Sequence, residues 1–156
     1  SKSSGIKECI IQSIVEDGYS KLNYNVPIIK ELKSVITKIS KIIPNLGIAT
    51  MDNARSARKT TKALGIDEQI KFYYGTDEGL RKKPEPDMIF AFAKDLKVPV
   101  KTILMVGDSP RDMAMAKTAG SSAIGVLTGG STKSKLKESG AMEIIPDISY
   151  LPKLLS

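Results

Sequence analysis

The chain has 156 residues, of which 41% are hydrophobic and 26% are charged, and these values fit one compact α/β domain rather than a disordered chain. Histidine is absent and there is a single cysteine, so histidine-based catalysis, histidine metal sites and internal disulfides are excluded. A net charge of +7 with only 5% aromatic residues favours a surface that attracts small phosphorylated anions over a nucleic-acid partner.

The chain contains no apolar run long enough to cross a bilayer, and no secretory hydrophobic segment follows its first residues. We therefore expect a soluble, cytoplasmic protein with neither a membrane nor a nucleic acid as its partner.

The first elements along the chain are predicted to be helices. Apolar residues in the segment 6–15 recur at helical spacing and predict a first helix there. Pro27 is typical of a helix start, and the apolar residues that follow it share one helix face. Pro44 is expected to end this second helix.

From residue 46 onward, strands and helices alternate. Strands are predicted at residues 46–50, 70–74, 103–106, 123–127 and 143–145, and helices at 57–64, 87–96, 112–119, 132–139 and 149–155. This alternation predicts a three-layer α/β/α, Rossmann-like fold with a parallel sheet. Ligands of such a fold bind at the carboxyl ends of the strands.

A first candidate site lies at Thr50, the last residue of the strand predicted at 46–50. Its hydroxyl, with the amides of Met51 and Asp52 ahead of a helix start, would form a cradle for an anion such as phosphate. The alternative is that Thr50 only helps to cap the helix, whose N-cap is predicted to be Asp52 or Asn53.

A second candidate is Lys83, which lies between Lys82 and Pro84. The proline is expected to keep this loop extended and so to fix the direction of the lysine side chain. A lysine held over a strand end could offset the charge of a phosphoryl group. The alternative is a solvated basic loop.

A third candidate is the segment Met-Val-Gly-Asp-Ser-Pro-Arg-Asp at 105–112. An apolar strand delivers Asp108 at its tip, and Asp112 follows one helical turn later, so that both carboxylates can face one point. Two carboxylates with water and a phosphate oxygen suit Mg²⁺, although a helix-capping role is the alternative for either residue.

In this order, the strand-end Thr, the Lys-Pro-x-Pro and the Gly-Asp-Ser-x-x-x-Asp resemble the second, third and fourth motifs of the haloacid dehalogenase superfamily of hydrolases. Residues 26–65 and 83–127 are most similar to its phosphoglycolate-phosphatase-like branch. The resemblance implies a Mg²⁺-dependent phosphatase core that acts on a small phosphorylated metabolite through an aspartyl-phosphate. It implies that Thr50 and Lys83 act on the phosphoryl group in catalysis, and that Asp108 and Asp112 hold Mg²⁺.

The family's first motif, Asp-x-Asp-Gly-Thr, supplies the nucleophile, and no Asp-x-Asp occurs in this chain. In one interpretation, residues 1–25 are the remnant of a helical cap and precede a core at 26–156, and the chain begins after the nucleophile. In the other, they are a decayed first motif, in which Val15 takes the nucleophile's place and Asp17-Gly18 match the second Asp and the Gly.

A truncated chain is expected to have a gap in its sheet, filled by a separate segment or partner chain that carries the first motif. A different functional class is also open, namely a pseudoenzyme that binds Mg²⁺ and a phosphate ligand without turnover. In either case the chain lacks the carboxylate that covalent catalysis requires.

Overall fold

The computed structural model describes residues 8–11 and 28–156, and its centre is a six-stranded sheet. The strands β1 to β6 are Glu8–Ile11, Asn45–Ala49, Ile70–Tyr74, Ile103–Gly107, Ser122–Val126 and Glu143–Ile145. The helices α1 to α6 are Ile28–Ile42, Ala54–Ala63, Asp87–Leu96, Pro110–Ala119, Lys133–Glu138 and Leu151–Leu155. Short 3₁₀ turns lie at Thr76–Glu78, Val100–Thr102, Leu127–Gly129 and Ile148–Tyr150.

The strands lie in the order β3-β2-β1-β4-β5-β6, and every neighbouring pair is parallel. Strands β2 and β3 follow one another outward on one side of β1. Strands β4, β5 and β6 follow one another outward on its other side. The direction of winding therefore reverses between β1 and β4. In parallel α/β sheets this reversal opens a crevice at the carboxyl ends of the strands, where ligands bind.

Helices cover both faces of the sheet, which confirms the predicted three-layer architecture. Along β4, Leu104 and Val106 belong to a buried cluster with α1, α2 and α6. Ile103 and Met105 belong to a second cluster with α3, α4 and α5. This alternation is expected of a strand whose two faces are both covered. Within the described residues, no helix has both the length and the apolar character that a membrane crossing requires.

Strand β1 corrects the prediction for the N-terminal segment. A helix is predicted at residues 6–15, whereas Glu8–Ile11 pair as a strand with β2 on one side and with β4 on the other. Cys9, for example, lies opposite both Leu46 and Leu104. The predicted gap in the sheet is therefore wrong, because β1 fills that place.

The same observation removes the helical spacing as support for a cap remnant. Both interpretations of residues 1–25 stay predictions, however. Val15, Asp17 and Gly18, on which the decayed-motif interpretation depends, lie outside the described residues.

Candidate active site

The predicted site residues meet at the carboxyl edge of the sheet. Thr50 directly follows β2 and Asp108 directly follows β4, so these residues flank the end of β1. Lys83 lies in the loop between β3 and α3, and Asp112 lies in the first turn of α4. All four side chains belong to buried residues. The site therefore lies at the crevice that the strand order creates.

Lys83 and Asp112 form a buried ion pair. The Nζ atom of Lys83 lies 2.8 Å from Oδ1 of Asp112, and the two side chains are 2% and 1% exposed. Neither atom is aligned for a hydrogen bond with any group in the described part of the chain. Since an ammonium group has three donors, the lysine can still donate to an oxyanion placed beside the pair.

The second oxygen of Asp112 is held by the start of its own helix. Oδ2 accepts hydrogen bonds from the amide of Ser109 at 3.2 Å and from its hydroxyl at 3.1 Å. The Ser109 hydroxyl oxygen in turn accepts from the Asp112 amide at 3.3 Å, which completes a capping box. Asp112 therefore anchors Lys83 with one oxygen and caps α4 with the other.

Two glycines leave the space that the carboxylates of Asp108 and Asp112 occupy. A Cβ atom at Gly129 would lie 2.2 Å from Oδ2 of Asp108, and one at Gly107 would lie 2.4 Å from Oδ2 of Asp112. Real Cβ atoms do not approach other atoms so closely, so both positions require glycine while the carboxylates keep their places. Gly129 was not identified from the sequence, although its place in the short turn that follows the carboxyl end of β5 was a usable signal.

Thr50 is almost fully buried, at 1% exposure. Its amide donates to the carbonyl of Tyr74 at 2.9 Å, which extends the pairing of β2 with β3. Its hydroxyl oxygen accepts from the Asp52 amide at 3.1 Å. No described residue accepts the hydroxyl proton, so Thr50 is suited to donate to an anionic oxygen.

The anion cradle differs from the predicted one, because one of its two predicted amides, that of Asp52, is already engaged, as is the neighbouring Ala54 amide. The Asp52 amide donates to Thr50, and the Ala54 amide at the start of α2 donates to Oδ1 of Asp77 at 2.8 Å. The N-cap is Asn53, whose side chain accepts from the Ser56 amide at 2.7 Å. Of the predicted cradle, the Thr50 hydroxyl and the Met51 amide therefore remain for an anion, as judged from the described residues.

Sequence reasoning did not identify Asp77, which lies 23 positions from its partner in the chain. The sequence gives only a weak signal for this residue, namely the glycine that precedes its turn. Gly75 directly precedes the 3₁₀ turn that carries Asp77, and a Cβ at Gly75 would lie 2.5 Å from the Ala54 amide nitrogen. The glycine therefore permits this loop to approach the start of α2.

The loop that carries Lys83 is a turn rather than the predicted extended segment. The Glu85 amide donates to the Lys82 carbonyl at 2.9 Å, and the peptide bond between Lys83 and Pro84 is cis. A proline in the cis form is compatible with a tight turn of this kind. The turn directs Lys83 inward, while Lys82 is exposed.

Arg81 and Asp87 join the two ends of this loop. The guanidinium group contacts both carboxylate oxygens, with Nη2 to Oδ1 at 2.9 Å, Nε to Oδ1 at 3.1 Å and Nε to Oδ2 at 3.2 Å. The Arg81 amide also donates to Oδ2 at 2.9 Å. Hydrogen bonds from Arg81 hold the pKa of Asp87 below its ordinary value, and the same contact raises the pKa of Arg81.

The donor set is compatible with Mg²⁺. Within residues 8–11 and 28–156, no group of three or more Cys, Asp or Glu side chains forms a complete metal cage. Mg²⁺ does not need one, because it keeps several waters and is held by one or two carboxylates together with phosphate oxygens. Asp108, at the tip of β4, offers such a carboxylate beside a place suited to an oxyanion.

Comparisons with known proteins agree with this geometry. A family model described as haloacid dehalogenase-like hydrolase matches residues 2–126. A phosphoglycolate phosphatase from Rhodospirillum rubrum is 33% identical over 106 residues, which cover 68% of this chain and 44% of that protein. The crystal structure of a hydrolase from Pseudomonas syringae has a TM-score of 0.69 and 27% identity, covering 87% of this chain and 65% of that one.

A haloacid dehalogenase-like hydrolase from Streptococcus pneumoniae has a TM-score of 0.75, covering 98% of this chain and 100% of that chain. At 14% identity it shows the fold alone. The resemblance inferred from the three motifs is thus confirmed at the level of family and fold. The chain spans 33% to 47% of the length of eight curated relatives it matches.

Proposed function

Because this chain belongs to the haloacid dehalogenase-like hydrolase family, we propose that it forms the phosphate- and Mg²⁺-binding core of a phosphomonoester hydrolase. Its substrate would be a small phosphorylated metabolite, a class to which phosphoglycolate, named for several relatives, belongs. The observation that carries the proposal is the buried Lys83–Asp112 pair at the edge of the sheet where Asp108 follows β4.

The roles proposed for the side chains follow from their contacts. Thr50 donates its hydroxyl proton to a phosphoryl oxygen, and the Met51 amide donates beside it. Lys83 offsets the negative charge of the phosphoryl group. Because the lysine is buried, water screens this interaction only weakly. Asp112 keeps the lysine in place. Phosphoryl transfer depends mainly on such positioning and charge stabilisation.

Asp108 is the proposed principal ligand of Mg²⁺. When bound, the metal supplies Lewis-acid polarisation of a phosphoryl oxygen. Asp112 keeps its contacts to Lys83 and Ser109 in this proposal, so it supports the site electrostatically. This assigns the two aspartates different tasks, whereas the sequence motif treats them as a pair.

The nucleophile has no candidate in the motif pattern of the chain, because no Asp-x-Asp occurs. We propose that the attacking carboxylate is supplied by a separate segment or chain. A second candidate function is a pseudoenzyme that binds Mg²⁺ and phosphate without turnover. This second candidate is favoured by β1, since Glu8–Ile11 hold the central place in the sheet and contain no aspartate.

A Thr50→Val variant tests the phosphate site. Hydrogen bonds to charged groups contribute about 1.5–3 kcal/mol, so the affinity for inorganic phosphate is expected to fall about ten- to a hundredfold. Calorimetric titration with phosphate in the presence of Mg²⁺ measures the effect. Thr50→Ser, which retains the hydroxyl, is the matched control and is expected to bind nearly as well as the unaltered chain. Equal affinities in the valine and serine variants would remove Thr50 from the site.

Turnover separates the two candidate functions. We expect the 156-residue chain alone to release no phosphate from p-nitrophenyl phosphate. Adding a segment with Asp-x-Asp-Gly-Thr, fused at the N-terminus or supplied as a peptide at about millimolar concentration so that it can compete with β1, is expected to produce Mg²⁺-dependent release if the chain is a hydrolase core. Phosphate binding without any restored turnover would support the pseudoenzyme instead. A fused segment with both aspartates changed to asparagine is the control.

A further inference from the structure

The loop that delivers Lys83 to the site is closed at its base by one side chain. Arg81 precedes the turn and Asp87 begins α3, and their fork-to-carboxylate contact spans the loop. The Nη1 atom of Arg81 also lies 3.1 Å from Oε2 of Glu85, inside the loop. One guanidinium group therefore contacts two other points of the chain around Lys83, at Glu85 and Asp87.

A lysine within a turn stays buried only while the backbone of its loop is held in place. A lysine side chain has many rotamers and prefers water, so leaving the interior would recover both entropy and hydration. The Asp112 contact holds its tip, but the backbone of a short surface loop must also stay in place. The Arg81 amide and side chain fix that backbone to Asp87, at the first residue of a regular helix.

We propose that Arg81 is a positioning residue that keeps the 81–87 loop closed and thereby holds Lys83 against Asp112 in a phosphate-competent state. The inference rests on the proposed function of Lys83. Arg81 touches neither the phosphate nor the metal in this proposal and acts only through the loop.

The effect of losing Arg81 is expected to be local. The Arg81 side chain is 67% exposed and those of Asp87 and Glu85 are 20% and 47% exposed, and exposed ion pairs contribute little to global stability. The loop would instead open more often. When only a fraction of molecules is competent, apparent affinity falls by that fraction.

The test measures the burial of Lys83 directly, as well as phosphate binding. The whole chain is treated briefly with acetic anhydride, and the modification of each lysine is quantified by peptide mass spectrometry. Phosphate affinity is measured by calorimetry in the same variants. These are Arg81→Ala, Arg81→Lys, which retains the charge but not the fork, and Arg55→Ala, a control that removes an exposed arginine from α2.

Arg81→Ala and Arg81→Lys are expected to raise acetylation of Lys83, which follows the open fraction of molecules, and to weaken phosphate binding about tenfold if the closed loop falls to about a tenth of molecules. Acetylation of the exposed Lys82 and the melting temperature should match those of Arg55→Ala. Lys83 protection equal to that in Arg55→Ala would overturn the proposal, as would full recovery in Arg81→Lys, because charge alone would then suffice. If the unaltered chain binds no phosphate, the proposed function fails, while acetylation of Lys83 still decides whether Arg81 closes the loop.

Discussion

An Asp112→Asn variant is expected to be about 3–5 kcal/mol less stable than the unaltered chain, because the change leaves a buried ammonium group without its counter-charge. The introduced asparagine would retain the size of the side chain and one oxygen that can still cap α4. The loss would therefore come mainly from Lys83, whose side chain is 2% exposed. Chemical denaturation followed by circular dichroism measures the free energy of unfolding.

Two further variants make this result interpretable. Asp67→Asn removes an exposed carboxylate and is expected to change stability by no more than about 0.5 kcal/mol. The double variant Lys83→Met with Asp112→Asn removes both charges and is expected to recover most of the lost stability, since neutral replacements of buried pairs are often tolerated. If Asp112→Asn is as stable as Asp67→Asn, Asp112 does not neutralise a buried charge on Lys83.

An Asp108→Asn variant is expected to weaken Mg²⁺ binding by at least about a hundredfold, because changes to residues that merely support metal ligands already cost about 10–100-fold. Asp108 follows β4 and is 8% exposed, and the loss of one negative charge there removes the proposed principal ligand. Titration with Mn²⁺ followed by electron paramagnetic resonance reports free metal directly and needs no enzymatic activity.

Gly129→Ala tests the same carboxylate without changing its charge. The added Cβ would lie 2.2 Å from Oδ2 of Asp108, and the backbone of Gly129 does not have the positive φ that would itself disfavour alanine. Weaker Mn²⁺ binding in this variant is expected from the displaced carboxylate. Ser131→Ala in the same loop is the control. Unchanged Mn²⁺ affinity in Asp108→Asn would remove Asp108 from the metal site.

Most of the fold could be predicted because its signals are local. The strand Ile70–Tyr74, the helix Asp87–Leu96 and the strand Glu143–Ile145 have the predicted bounds. The first two show an apolar pattern of the right period, and each of the three is followed by glycine, proline or a charged residue. The parallel sheet follows from the alternation of such elements, since parallel strands need a crossover between them.

Strand β1 could not be predicted in the same way. Its four residues are too short a run to show a period of their own, and the surrounding apolar residues fit a helix. The strand is specified by its two neighbours, β2 and β4, which lie far along the chain. Pairing of this kind overrides local spacing because it satisfies the backbone groups on both sides.

The same distinction between local and long-range signals applies to the candidate site. The order of the motifs was enough to select Thr50, Lys83, Asp108 and Asp112, each of which lies at the carboxyl edge of the sheet or in an element that starts there. The contacts among them were not accessible. The Lys83–Asp112 pair depends on the shape of a loop, and a pattern of residue types does not encode the direction of a side chain.

Strand β1 already occupies the place in the sheet that a segment carrying the missing motif would need. The chain itself therefore competes with any such segment. An incoming strand could occupy the position between β2 and β4 only by displacing Glu8–Ile11. Because β1 is covalently attached, its effective concentration at that position is of the order of millimolar. A free peptide at micromolar concentration would have to bind about a thousandfold more tightly to win, whereas a fused segment would compete on equal terms. A separate segment that carries the missing motif would therefore replace β1 only above a threshold concentration.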